Sequence, residues 1–131
     1  MINPSTANEI DDDPTINRIN KNTNKNRYGG FYIGNIYPIV SSNQDVLNTN
    51  FKNTYYNSPE CTENIIHIKK MITLADKVIY AWGCNGKEPE WLREIVNQPY
   101  CINTLKNGQP AHPLNSLNLN NFEFTQYNRI S

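Results

Sequence analysis

The sequence predicts an α/β protein, a three-layer αβα arrangement in which a small parallel-type sheet carries helices on its faces. Three observations predict it. Short apolar runs of the kind that form buried strands alternate with longer stretches of helical periodicity. The chain has 131 residues, enough for one hydrophobic core and too few for two. Only 37% of residues are hydrophobic and 18% charged, so the apolar side chains concentrate in those runs, and uncharged amides, 23 Asn among them, supply the polarity.

Taken in order, Asn3-Pro4-Ser5 stands where a first strand would end. Two residues remain of that strand, which is therefore read as truncated. Asp11, Asp12 and Asp13 precede Pro14, the usual N-cap and first-turn chemistry of a helix, expected over residues 14–26 with Ile16 and Ile19 as a thin apolar face. Tyr28-Gly29-Gly30 breaks it. Phe31-Tyr32-Ile33-Gly34-Asn35-Ile36-Tyr37 reads as a strand buried on both faces, and residues 38–59, without periodicity, as a surface excursion.

A second helix is expected over residues 60–75, with Ile65, Ile66, Ile68, Met71, Ile72 and Leu74 in its apolar pattern. A second strand follows over 77–83 and ends in Trp82-Gly83. Glu88-Pro89-Glu90 opens a third helix to Gln98, with Trp91, Leu92, Ile95 and Val96 as its buried stripe. A third strand covers 100–105, then a turn at Lys106-Asn107-Gly108-Gln109-Pro110 leads to Ala111-His112-Pro113-Leu114. The domain is thus expected over residues 1–114, with 115–131 as a loosely ordered tail.

Twelve Lys and Arg balance twelve Asp and Glu, so no overall field gathers phosphates or anionic lipid. No apolar run approaches the about eighteen residues of a membrane-spanning helix, and the expected location is cytoplasmic. Cys61, Cys84 and Cys101 are widely spaced without a CxxC pair, which indicates neither a disulfide framework nor a cysteine zinc site. Asp11, Asp12 and Asp13 could bind a metal through their carboxylates, but helix capping accounts for them without one, and no metal or cofactor is expected.

In a parallel sheet ligands bind outside the carboxyl ends of the strands, and Asn3, Asn35, Trp82, Gly83 and His112 all fall at or just past expected strand ends. Asn3 or Asn35 would present a paired donor and acceptor to a heterocycle edge or a water; the alternatives are an Asx turn closed by Pro4 and, for Asn35, a bond to neighbouring backbone. His112 would act as acid, base or donor to a developing anion, or simply bond to backbone. Trp82 would stack on a base or sugar, or belong to the core. Arg18, Lys21, Lys25 and Arg27 form a basic stripe that is either a phosphate contact or a solvated face. His67, within an apolar helix, is read as structural.

Asn3-Pro4-Ser5-Thr6-Ala7, Asp12-Asp13-Pro14-Thr15, Tyr28-Gly29-Gly30, Asn35-Ile36-Tyr37, Glu63-Asn64, Ala81-Trp82-Gly83 and Gly108-Gln109-Pro110-Ala111-His112-Pro113-Leu114 occur in an order that resembles the bacterial and phage family called domain of unknown function 1643. The sequence departs from that family's pattern at Val40 and Asn115. A more distant similarity, an Asn-Pro motif, a strand ending near Asn35, a strand ending Trp-Gly and a final His-Pro, resembles the uracil-DNA glycosylase superfamily. That resemblance implies a glycosylase-like fold and a site for a nucleobase, a nucleotide or single-stranded nucleic acid, possessed of N-glycosidic hydrolase chemistry. Asn3 would orient water, Asn35 would read the base edge and His112 would support the leaving base, with Ser5, Trp82 and Gly83 at the ligand. The other expectation is a non-catalytic module binding a nucleotide, nucleic acid or protein, or an inactive fragment.

Overall fold

The computed structural model describes residues 14–36, 59–115 and 123–130. Its elements run α1 (Pro14–Lys25), α2 (Pro59–Leu74), β1 (Ile79–Tyr80), α3 (Glu90–Ile95), β2 (Tyr100–Cys101), a 3-10 turn (Pro113–Asn115) and β3 (Thr125–Gln126). The fold is a small α/β fold, but its sheet is mixed. β1 pairs with β2 in parallel through the crossover that carries α3, and β2 pairs with β3 antiparallel.

Helix α1 ends as a Schellman motif. Tyr28 N–H donates to the Thr23 carbonyl and Arg27 N–H to the Asn24 carbonyl, both at 3.1 Å, and Arg27 itself takes the left-handed conformation, φ 64°, where glycine is the usual residue. The inner face of α1 is polar: Thr15, Asn22 and Thr23 are buried. Asn22 and Thr23 direct their side chains to the carbonyls of Arg18 and Ile19 one turn back, which makes burial of polar groups tolerable.

Helix α2 turns Cys61, Asn64, Ile68, Met71 and Ile72 inward at three- and four-residue spacing. Ile66 and Leu74 lie on the outside. His67 is also exposed, 3.6 Å from Glu63 on the same helix face.

The run 31–36 is not a strand. Asn64 Nδ2 donates to the carbonyls of Asn35, at 2.7 Å, and Ile36, at 3.3 Å; the side chain of α2 takes the acceptors that a ladder would have used. The segment presses against α2 so closely that a Cβ on Gly34 would stand 3.1 Å from Ile68 Cγ1 and 3.2 Å from the Met71 methyl. Composition suits burial here, and the burial is against a helix.

The expected third helix is short. Val96 leaves helical geometry (φ −109°, ψ 109°) while its N–H still donates to the Leu92 carbonyl, and Pro99 three residues on blocks continuation. Its apolar stripe packs as expected, with Leu92 and Val96 buried and Trp91 and Ile95 against the core.

Residues 123–130, expected to be loose, are docked. Tyr127 is 3% exposed in the core formed with Ile36, Ile68, Tyr80, Trp82, Leu92, Val96 and Cys101. Its ring lies 5.8 Å from that of Tyr80. A two-residue strand carries no readable periodicity, and Tyr127 is the apolar anchor that periodicity analysis overlooks. Cys61 and Cys101 are buried thiols, and no disulfide joins them or Cys84. No helix among the described residues is long and apolar enough to cross a membrane.

Candidate functional site

A cavity of about 680 Å³ opens between α1, the 28–36 segment, α2 and β1. That volume lies within the range of about 300–1,000 Å³ typical of small-molecule sites. Its walls are aromatic and aliphatic: Tyr28, Phe31, Trp82, Trp91 and Phe124 are among them.

Of the sequence candidates, Asn35 and Trp82 stand on this wall. The Asn35 carbonyl is held by Asn64, but its side-chain Oδ1 is shielded from solvent and accepts no hydrogen bond among the described residues. A shielded acceptor left unpaired costs about 1–3 kcal/mol. Trp91 Nε1, on the same wall, is likewise shielded and donates to nothing among the described residues. Two residues of the wall therefore each hold, behind its surface, a polar atom with no partner among the described residues.

Trp82 is 4% exposed. Its Nε1 donates to Gln109 Oε1 at 2.8 Å, and its ring lies 4.5 Å from that of Tyr80. Gly86 makes room for it, since a Cβ there would meet the indole at 2.1 Å. The hydrogen-bonding group of Trp82 is thus committed to the fold, and the ring offers the cavity only its surface.

Gly83 and His112 are not on the wall. Gly83 is buried at φ 84°, a conformation that favours glycine, and its N–H donates to the Pro110 carbonyl at 2.9 Å, tying the end of the β1 run to the stretch that leads into His112. His112 Nδ1 accepts the Leu114 N–H at 3.2 Å. That bond places the proton of the neutral imidazole on Nε2. The neighbouring Pro113 does line the cavity, and Arg18 Nη1 donates to its carbonyl at 3.1 Å. Arg18, one member of the basic stripe, therefore holds the His-Pro turn. Asn3 and Ser5, the remaining candidates, lie outside the described residues, as do Asp11, Asp12, Asp13 and Val40.

Lys77 stands in no motif that would mark it in the sequence. It lines the cavity and sets its ammonium 4.8 Å from the Tyr100 ring centre and 5.8 Å from that of Tyr28, a cation over two π faces. Its polar interaction with Tyr28 raises its pKa above the ordinary value, and its positive charge stands beside the cavity. Among the described residues no three His, Cys, Asp or Glu side chains group so as to hold a metal ion.

Fold and site together define a small α/β protein with a ligand-sized, aromatic-walled cavity. The chain belongs to the family described as protein of unknown function (DUF1643), whose pattern matches residues 1–114. No curated protein and no solved structure matches it.

Proposed function

We propose that the cavity binds a planar heterocycle with paired hydrogen-bonding groups, a nucleobase or nucleotide, and that binding is the activity its geometry favours. The observation that carries this reading is Asn35, on an aromatic wall, whose shielded Oδ1 accepts no hydrogen bond among the described residues. Flat π surfaces hold a base by its faces, and a carboxamide reads its edge. A side-chain rotation brings Oδ1 to a ligand N–H, and a shift of the Trp91 indole would bring Nε1 to a ligand carbonyl or ring nitrogen. Recovering two unpaired groups is a gain that water, which does not reach them, has not already supplied.

Lys77 at the cavity suits the negative charge of a nucleotide. Zero net charge gives little attraction for a long phosphate backbone, which makes single-stranded nucleic acid the less favoured form of the ligand.

A second reading, hydrolysis of an N-glycosidic bond, follows from the resemblance to the uracil-DNA glycosylase superfamily. It is favoured by the His112 tautomer, whose Nε2–H would support a departing anionic base. It requires Asn3 to direct the water and His112, one residue from the wall, to reach the ligand.

One experiment separates these readings. Uracil, thymine, cytosine, adenine, guanine and the corresponding nucleoside monophosphates are titrated while the fluorescence of Trp82 and Trp91 is followed, and the protein is incubated with uracil-containing single-stranded DNA. Saturable quenching without abasic product supports binding. Abasic product that disappears in His112→Ala supports hydrolysis. No saturation with any of these compounds, together with no abasic product, contradicts both.

A further inference from the structure

The family match stops at residue 114, but the cavity wall continues past it. Phe124 lines the cavity, with its ring centre 6.0 Å from that of Tyr28 and tilted by 52°. It comes immediately before β3, a strand of two residues whose ladder alone holds little. The segment is fixed by one further backbone bond and by side chains.

Tyr127 N–H donates to the Pro99 carbonyl at 2.8 Å, and its hydroxyl donates to the Gly108 carbonyl at 2.9 Å. Arg129 Nε reaches both oxygens of Glu88, at 2.8 and 3.1 Å. Its Nη1 donates to the Asn97 carbonyl at 3.1 Å and its Nη2 to the Val96 carbonyl, acceptors left over at the end of α3. Glu88 Oε1 also accepts the Tyr80 hydroxyl at 2.7 Å, and Tyr80 stands on the cavity wall. A connected chain of hydrogen bonds therefore runs from the last described residues to β1. Lysine in place of Arg129 would keep the charge and lose the fork that reaches Glu88 and two carbonyls together.

We infer that residues 123–130 form the closing wall of the ligand cavity, with Phe124 as a specificity-determining contact and Arg129 as the positioning residue that holds it there through Glu88 and Tyr80. The identity of the ligand rests on the proposed function; the closing wall does not. Removing the Arg129 fork lets the segment lift from β2 and opens the aromatic cavity to solvent, whatever its natural ligand.

The test uses the full chain and two probes. 1-Anilinonaphthalene-8-sulfonate reports an opened apolar cavity, and the free base that quenches wild-type fluorescence reports the site itself. In Arg129→Gln and Phe124→Ala the dye signal is expected to rise at least threefold at 25 °C with the far-UV spectrum unchanged, in Arg129→Lys to rise less, and base affinity in Phe124→Ala to fall at least tenfold. A contact that merely stabilised the fold would lower the melting temperature and leave the dye signal of the folded protein at the wild-type level, which would overturn the inference. Unchanged base affinity in Phe124→Ala would also overturn it. Should wild type bind no base, the proposed function fails and the dye signal alone decides the closing wall. Phe124→Ala leaves the Arg129 contacts in place and gives the same reading should Arg129→Gln not fold.

Discussion

Asn64 on α2 donates one amide to the carbonyls of both Asn35 and Ile36, and this pairing holds the 31–36 segment at the cavity without making it a strand. The expected consequence is that Asn64→Ala destabilises the protein by about 1–2 kcal/mol, since two partly buried acceptors lose their donor. Asn64→Asp would do at least as much harm, because a carboxylate cannot donate and faces two carbonyl oxygens. Urea unfolding measures both.

The close approach of the same segment to α2 gives a second expectation. Gly34→Ala forces Ile68 and Met71 to give way by a few tenths of an ångström, and overpacking of this kind costs about 1 kcal/mol or more. Met71→Ala in the same chain should relieve part of that cost, and a double-mutant cycle reads the coupling.

At the end of α1 the direction is opposite. Arg27 holds φ 64°, a conformation that costs an L-residue about 1–2 kcal/mol, while glycine returns about 0.5–1 kcal/mol of that through its unfolded-state freedom. Arg27→Gly should therefore raise stability by a few tenths to about 1 kcal/mol. Thermal unfolding of the two proteins side by side checks it.

Stability should fall above about pH 10, the ordinary tyrosine range. Burial, then hydrogen bonding to Glu88, raises the Tyr80 pKa; burial does the same to Tyr127. In alkaline solution the unfolded chain releases protons that the folded chain retains, so unfolding becomes more favourable as pH rises. The stabilisation is complete below the unfolded-state pKa and lost progressively above it. Tyr80→Phe should flatten this alkaline limb, with the remaining slope belonging partly to Tyr127, and denaturant titrations between pH 8 and pH 11, about the span of that transition, test the difference.

Much of this architecture is legible in the residues. Helices α1 and α2 follow from Pro14 and from the spacing of Ile68, Met71 and Ile72, because periodicity and first-turn chemistry are local. The parallel pairing of β1 and β2 follows from two apolar runs with a helix between them. The 31–36 segment is not legible as a helix-packed loop, since its backbone partner, Asn64, stands 29 positions from Asn35 in sequence. The docking of 123–130 escapes for a similar reason: Tyr127 and Arg129 find their partners at Pro99, Gly108 and Glu88, and nothing around them repeats.

The site divides in the same way. Asn35 draws notice as a polar residue in an apolar run, and Trp82 as an aromatic residue ending one. Trp91 is concealed in the stripe of α3, Tyr28 in a glycine turn and Phe124 in the expected tail. His112 stands out by rarity, being one of two histidines, yet it sits beside the cavity wall and not on it.

Asn35→Ala, measured for binding and stability together, decides whether Asn35 reads the ligand. The substitution removes the Oδ1 that has no partner among the described residues and keeps the backbone carbonyl that Asn64 holds. The expected result is that the base binding to wild type binds Asn35→Ala at least about tenfold more weakly, roughly 1.4 kcal/mol, while the melting temperature stays level or rises, because an unsatisfied buried acceptor is gone. Equal affinity in the two proteins, or wild type that binds none of the bases and nucleotides, would contradict the assignment of Asn35 as the group that reads the ligand.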